Sequence, residues 1–158
     1  MNNRGFSLIE LVIIIAIIGI LSAIGTFAFS QYSRKSQIVN QTRLLYGDLM
    51  EYRIKALYEK KNWTFKMATT GYDIYSSAVT SVSPVASVVF KHPVFVGTTI
   101  PEFGFDTQGL TVDHKQGSVC VDSSNDAVVD SVVISTTRVQ LGKKKEGRPC
   151  ASDEIVAK

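Results

Sequence analysis

The sequence predicts an α+β chain. A long N-terminal α-helix, half transmembrane and half amphipathic, packs on a β-rich, two-sheet C-terminal head. Three observations predict this. From Leu11 to Phe29 the only polar side chains are Ser22 and Thr26. Beyond Ser30, Ile38, Leu45, Leu49, Tyr52 and Ala56 recur at steps of seven, four, three and four, which is one face of a helix. After about Asn62, short runs rich in Val, Ile, Thr, Ser, Tyr and Phe alternate with turn residues, the pattern of strands.

The run Leu11–Phe29 holds 19 residues. As α-helix it is roughly 28 Å long at about 1.5 Å per residue, enough to cross a hydrocarbon core of about 30 Å. Met1 to Gly5 ahead of it are short and polar, with one charge at Arg4. A secretory signal peptide has a shorter apolar stretch followed by a small-residue cleavage site; here the run is long and the sites after it are poor. A plain membrane anchor accounts for everything except Glu10. A carboxylate inside an apolar stretch is costly unless it is paired or near the interface, so Glu10 is expected to be functional rather than merely tolerated at the membrane surface. Arg4 favours a cytoplasmic N-terminus, whereas Arg34 and Lys35 beyond the span pull the other way. Charge alone leaves the orientation open.

No proline precedes Pro84, so one helix can run unbroken from about Ser7 to Lys60. Gly19, Gly25 and Gly47 weaken it by up to about 1 kcal/mol each. Arg34, Lys35, Gln41, Arg43, Asp48 and Lys55 occupy the faces away from the apolar one. A coiled coil with a partner is the competing reading, but too few heptads are present. Asn40-Gln-Thr42 and Asn62-Trp-Thr64 match the glycosylation acceptor pattern. Both lie in or beside the helix and are read as coincidence.

In the head, strands are expected at Tyr72–Ser76, Val85–Lys91, Val94–Val96, Leu110–Asp113, Ser118–Val121 and Val128–Val139. Turns are expected at Ser83-Pro84, Asp106 to Gly109, Lys115 to Gly117 and Ser123 to Asp126. Asp122 to Asp126 has the composition of a hairpin loop. Its acidic residues fit no EF-hand spacing, so no metal is expected there.

Cys120 and Cys150 are the only cysteines, too few for a zinc site of four thiolates. In an oxidising compartment they allow one disulfide. It would close a loop of about 31 residues, contribute roughly 3–4 kcal/mol and pin the C-terminal tail to the Ser118–Val121 strand. Two free thiols are the alternative.

Net charge is only +3 over 158 residues, so any basic signal must be local. One is present: Arg138, Lys143, Lys144, Lys145 and Arg148 stand against the single acid Glu146. Gly142 and Gly147 suggest an exposed loop after the last long strand. It is read first as a solvated loop or a patch facing an acidic neighbour. The other reading is phosphate contact with DNA, sequence-independent and steeply salt-sensitive. No aromatic residue interleaves with these cations, so base stacking has no support.

Catalysis is not expected. His92 and His114 are the only histidines, and neither stands with an acid and a nucleophile in a recognised pattern. There is no P-loop, dinucleotide fingerprint or metal-spaced His/Cys cluster, and no cofactor or small-molecule substrate is expected.

Gly5-Phe6-Ser7-Leu8-Ile9-Glu10, set directly before the apolar run, resembles the class III signal of type IV pilins and type II secretion pseudopilins. The resemblance implies cleavage by a prepilin peptidase between Gly5 and Phe6 and methylation of the new Phe6 amine. It further implies that Glu10 pairs with the N-terminal amine of a neighbouring subunit, an interaction weakly screened in an apolar filament core. The expected organisation is a leader at 1–5, a transmembrane and assembly helix at 6–29, an amphipathic helix at 30–61 and a β-rich head at 62–158. The expected partners are other pilins, the peptidase and an inner-membrane assembly platform, with the head in the periplasm before incorporation into a fibre. A looser resemblance rests on Phe103-Gly104-Phe105-Asp106-x-x-Gly109 and on the Val-rich pair ending Ile134-Ser135-Thr136-Thr137-Arg138-Val139. It is to the minor pseudopilin H and FimT-type minor pilin family, which usually has Gly-Arg where this chain has Thr137-Arg138. Some FimT-like members are credited with DNA capture for transformation. A major pilin remains the third alternative.

Overall fold

The computed structural model describes residues 7–97, 101–112, 116–122 and 125–158. Helix α1 spans Leu8–Glu59, 52 residues, and continues through Gly19, Gly25 and Gly47 without a break. It stops where Lys60 adopts φ 54°, the left-handed backbone that commonly follows a helix. The chain divides after Arg34 into two compact units. The first is helical from Leu8, and its described apolar side chains are exposed, with Leu8, Ile9, Leu11 and Ile13 all more than half accessible.

Among the described residues, the second unit, the head, holds the rest of α1 and nine strands. These are β1 (Trp63–Ala68), β2 (Gly71–Tyr75), β3 (Ala86–Val89), β4 (Val94–Val96), β5 (Glu102–Phe105), β6 (Gly117–Val121), β7 (Ser131–Ile134), β8 (Val139–Lys144) and β9 (Ile155–Ala157). They form two sheets, ordered β3-β2-β1-β5 and β4-β6-β7-β8-β9. Every pairing is antiparallel, as short connections between neighbouring strands require.

The helical periodicity decides the packing. Ile38, Leu45, Leu49 and Ala56 are completely buried, with Tyr52 partly buried beside them. They share one core with Phe65, Ile74, Phe103 and Phe105 of the first sheet and Val119, Val121, Val132 and Ile134 of the second. Each large side chain buried in this way contributes about 1.5–3 kcal/mol. Tyr52 meets Trp63 at 4.7 Å and Phe65 edge-on at 5.6 Å between ring centroids, distances at which aromatic pairs attract. Tyr72 donates its hydroxyl to the Asp48 carboxylate and so ties β2 to the helix. Burial first, then that hydrogen bond, raises the Tyr72 pKa well above its ordinary value.

Several strand expectations need correction. The run Val128–Val139 is not one strand. It splits into β7 and the start of β8, because Ser135 and Arg138 exchange backbone hydrogen bonds across a tight turn. Leu110–Asp113 supplies only an isolated bridge from Thr111 to Phe105. There the Asp106 carboxylate accepts from the backbone N–H of Gln108 and of Leu110, which curls the segment into a turn. Asp113 lies outside the described residues, as do Lys115 of one expected turn and Ser123 and Ser124 of another. Strands β1, β5 and β9 were not expected, nor was the extension of β8 to Lys144.

Candidate functional site

Two regions carry the residues singled out in the sequence. The first is the start of α1. Glu10 lies in its first turn and is exposed among exposed aliphatics. The apolar window of the helix has a mean hydropathy of 2.8 with none of it buried. It is the one described helix long and apolar enough to cross a membrane. Gly5 and Phe6 lie outside the described residues.

The second region is the basic stretch, and here the structure corrects the expectation of one exposed loop. Val139–Lys144 is strand β8, paired on both sides, with β7 and with β9. Lys143 donates to the Asp130 carboxylate at 2.8 Å and to the Asn125 carbonyl at 2.7 Å. Lys144 is buried, and its ammonium group donates to the Arg148 carbonyl at 2.9 Å. Lys145 pairs with Glu154 at 3.0 Å. Only Arg138 and Arg148 of the five present exposed side chains with no ion pair among the described residues. They stand at the two ends of the stretch rather than in one cluster.

Cys120 and Cys150 form a disulfide, with Cα atoms 5.9 Å apart. Cys120 belongs to β6, so the bond holds the tail against that strand. β9, hydrogen-bonded to β8, secures the tail a second time. Gly97 allows the close approach: a Cβ there would lie 1.7 Å from the Cys150 carbonyl oxygen.

The remaining candidates are engaged in structural contacts. The Gln41 side-chain amide donates to the His92 carbonyl and accepts from its N–H, and the His92 ring lies 3.2 Å from Gln37. His114 lies outside the described residues. In the acidic loop, Asp126 pairs with Lys35 at 3.1 Å, and the Asn125 side chain accepts from the Ala127 N–H. Among the described residues, no group of three or more His, Cys, Asp or Glu is placed to hold a metal ion. Arg53 carried no signal in the sequence beyond its helical position. It reaches the carbonyls of Gly109 at 2.8 Å and Thr137 at 2.7 Å, tying the turns after β5 and β7 to the helix.

Comparison with known proteins bears on this arrangement. Residues 1–26 match the prokaryotic N-terminal methylation motif. The chain is 34% identical over 90 residues to the type IV major pilin protein PilE1 of Neisseria gonorrhoeae, covering 55% of this chain and 42% of that protein. It is 48% identical over 52 residues to the prepilin peptidase-dependent protein D of Escherichia coli, covering 32% of this chain and 36% of that protein. The chain thus spans less than half the length of these curated relatives. The crystal structure of the type IV minor pilin FimU of Pseudomonas aeruginosa superposes with a TM-score of 0.60 at 15% identity, covering 71% of this chain and 92% of that one. The chain is thus similar to type IV pilins in its N-terminal segment and to a minor pilin in its fold. A second crystal form of FimU superposes with a TM-score of 0.52 at 16% identity. The chain shares with FimU the fold of a long helix on two antiparallel sheets.

Proposed function

We propose that this pilin-like chain is a minor pilin or pseudopilin subunit that assembles through its N-terminal helix into a type IV pilus or a type II secretion pseudopilus. The observation that carries the reading is the Gly5-to-Glu10 motif placed directly before a helix whose apolar window is unburied among the described residues. A helix apolar all round needs lipid or other helices around it. It is stored in a membrane and then buried among the helices of neighbouring pilin subunits. In this reading residues 1–5 are the leader, 6–29 the membrane and assembly segment, 30–61 the helix that carries the head, and 62–158 the head. A prepilin peptidase cleaves after Gly5 and methylates Phe6. Glu10 pairs with the Phe6 amine of a neighbour, and the partners are other pilins and an inner-membrane assembly platform. The subunit waits in the inner membrane with its head in the periplasm.

The minor-pilin form of the reading is preferred to the major-pilin form because the likeness to the minor pilin FimU takes in 71% of this chain and 92% of that one. DNA capture through residues 138–148 has less support, since Lys143, Lys144 and Lys145 are already bonded within the head.

The test is Glu10→Ala in cells that carry a matching assembly machine. Cleavage should proceed, while the amount of the chain in sheared fibres should fall steeply. Normal incorporation of the variant would sink the pairing role. Absence of the unaltered chain from any fibre would sink the assembly reading itself.

A further inference from the structure

We propose that the free edge of strand β3 pairs antiparallel with β3 of a second copy of this chain, joining two four-stranded sheets into one. This goes beyond the assembly role proposed above and does not depend on it. The two sheets have four edges, β3 and β5 in one and β4 and β9 in the other. Charge, cover and brevity are what keep sheet edges from pairing, and three of the four have them. β5 carries Glu102, which accepts a hydrogen bond from Thr80, and it is bridged at Phe105 by Thr111. β4 has three residues, with the Cys150 backbone against Gly97 at its end. β9 has three residues, set between Glu154 and Lys158. Around β3 no side chain from Ser76 to Phe90 is charged, and Val89 is 84% exposed.

The pairing with β2 shows which backbone groups are open. Val89 lies opposite Gly71, Val88 opposite Tyr72, Ser87 opposite Asp73 and Ala86 opposite Ile74. The Phe90 N–H donates to the Thr70 carbonyl at 2.8 Å, so Phe90 faces β2. Facing alternates along an antiparallel strand. Val88 and Ala86 therefore face β2 as well, while Ser87 and Val89 turn their N–H and C=O groups outward. The Val85 N–H is taken by the Ile74 carbonyl, which limits the open edge to Ser87–Val89. The Ser87 hydroxyl donates to the Asp73 carboxylate on β2 and so points back across the sheet, away from the edge.

Outward donors and acceptors in an extended row are met by another extended backbone. The side chains select a second copy. With Val88 opposite Val88 of the copy, Ser87 meets Val89 and Val89 meets Ser87, each pair exchanging its main-chain hydrogen bonds. The strand is thus self-complementary about Val88. Like charges directly opposite would repel two copies of one strand, and here none oppose. Lys91, the nearest charge along the chain on that side, falls opposite Val85 of the copy. Pairing also covers the exposed Val89 and packs one half-buried Val88 on the other. The contact is small beside a standard interface, so the pair is weak and is best seen by trapping. A two-fold pair closes on itself and does not extend a fibre, which makes it a form of the free subunit.

The experiment uses the full-length chain in detergent micelles. Both native cysteines are in the disulfide, so Val88→Cys adds a single thiol. In the pair its Cα lies about 4.5 Å from that of its copy, within reach of a disulfide. Mild oxidation should trap Val88→Cys as a dimer several-fold more than Val128→Cys, whose thiol is exposed but lies outside β3. Peptide mass spectrometry should place the bond between the two copies of residue 88. Adding Val89→Lys, at an exposed side chain that the fold does not need, should lower the yield to that of Val128→Cys. If Val88→Cys melts below the parent, a mixture of Ser87→Cys and Val89→Cys is oxidised instead. These positions face one another in the same register, so the two variants should cross-link with each other more than either does with itself. A yield no greater than that of Val128→Cys overturns the proposal, as does a yield that Val89→Lys leaves unchanged. Trapping is read without fibres. Its failure leaves the assembly role standing, and absence of the chain from fibres leaves the strand pair standing.

Discussion

The Lys143 ammonium group lies 2.8 Å from Oδ2 of Asp130, whose side chain is 2% exposed. The other oxygen of Asp130 accepts from the Ser131 hydroxyl at 2.6 Å and from the Lys144 N–H at 2.8 Å. One buried carboxylate therefore holds β7 to β8 through a side-chain ion pair and a backbone bond together. Asp130→Ala removes the carboxylate and leaves the partly buried Lys143 ammonium group with only the neutral Asn125 oxygens. Removing one partner of a buried pair costs about 3–5 kcal/mol. Because Lys143 keeps 27% of its side-chain exposure, the loss should fall near ~3 kcal/mol. Asp130→Asn keeps an acceptor for the Lys144 N–H and should lose less. Urea unfolding of the three proteins checks the order, and equal midpoints for parent and Asp130→Ala would remove the network from the account of stability.

Tyr72 predicts a stability loss on the alkaline side. Its pKa is raised in the folded state, by burial first and then by the hydrogen bond to Asp48. Above its unfolded value of about 10, the unfolded chain gives up the tyrosine proton while the folded chain keeps it. The unfolded state then binds fewer protons, so stability falls as pH rises. The contribution is fully present below pH ~10 and declines steadily above it. Tyr72→Phe should be less stable than the parent at pH 8 by about 1.5–3 kcal/mol, the range for a hydrogen bond to a charged group. It should also lack the parent's extra loss between pH 10 and pH 12. Parallel slopes for the two proteins in that window would mean that Tyr72 titrates normally.

The disulfide joins residues 30 apart in sequence. In the chain-entropy model a loop of that size contributes roughly 3–4 kcal/mol by restricting the unfolded chain. Cys120→Ala with Cys150→Ala should lose about that much. The fold should persist, because β9 still pairs with β8 and Lys158 N–H still donates to the Leu141 carbonyl. Thiol labelling of the unfolded, unreduced chain should give no adduct. Two adducts would show that the cysteines are free.

The helix was legible because its signal is repeated. Ile38, Leu45, Leu49 and Ala56 keep one periodicity over five turns, and burial follows it. Trp63–Ala68 was not, although its burial alternates from Phe65 onward. Only three residues separate it from the end of the helix, and Lys66 breaks the apolar run. The basic stretch misled for a physical reason. A run of lysines beside glycines has the composition of a solvated loop, and nothing local reveals that Asp130, thirteen residues away, will neutralise Lys143. Glu10 was legible because a charge inside an apolar run is expensive wherever it is found.

The processing expected at Gly5 and Phe6 gives the most direct chemical prediction. Co-expression with a prepilin peptidase should yield a chain that begins at Phe6 and carries one extra methyl group on its amine, both read by mass spectrometry of the intact protein. Glycine before the cut has no side chain to block the backbone from the protease. Gly5→Val puts a branched side chain there and should leave the leader attached. The apolar helix is untouched by that change, so the uncleaved form should still partition with membranes. It retains Glu10 but has no free amine at Phe6 for a neighbour's Glu10 to meet, so it should accumulate in the membrane and stay out of fibres. Normal cleavage of Gly5→Val would show that the peptidase does not require an unsubstituted backbone there. Normal incorporation of an uncleaved chain would show that assembly does not depend on the Phe6 amine.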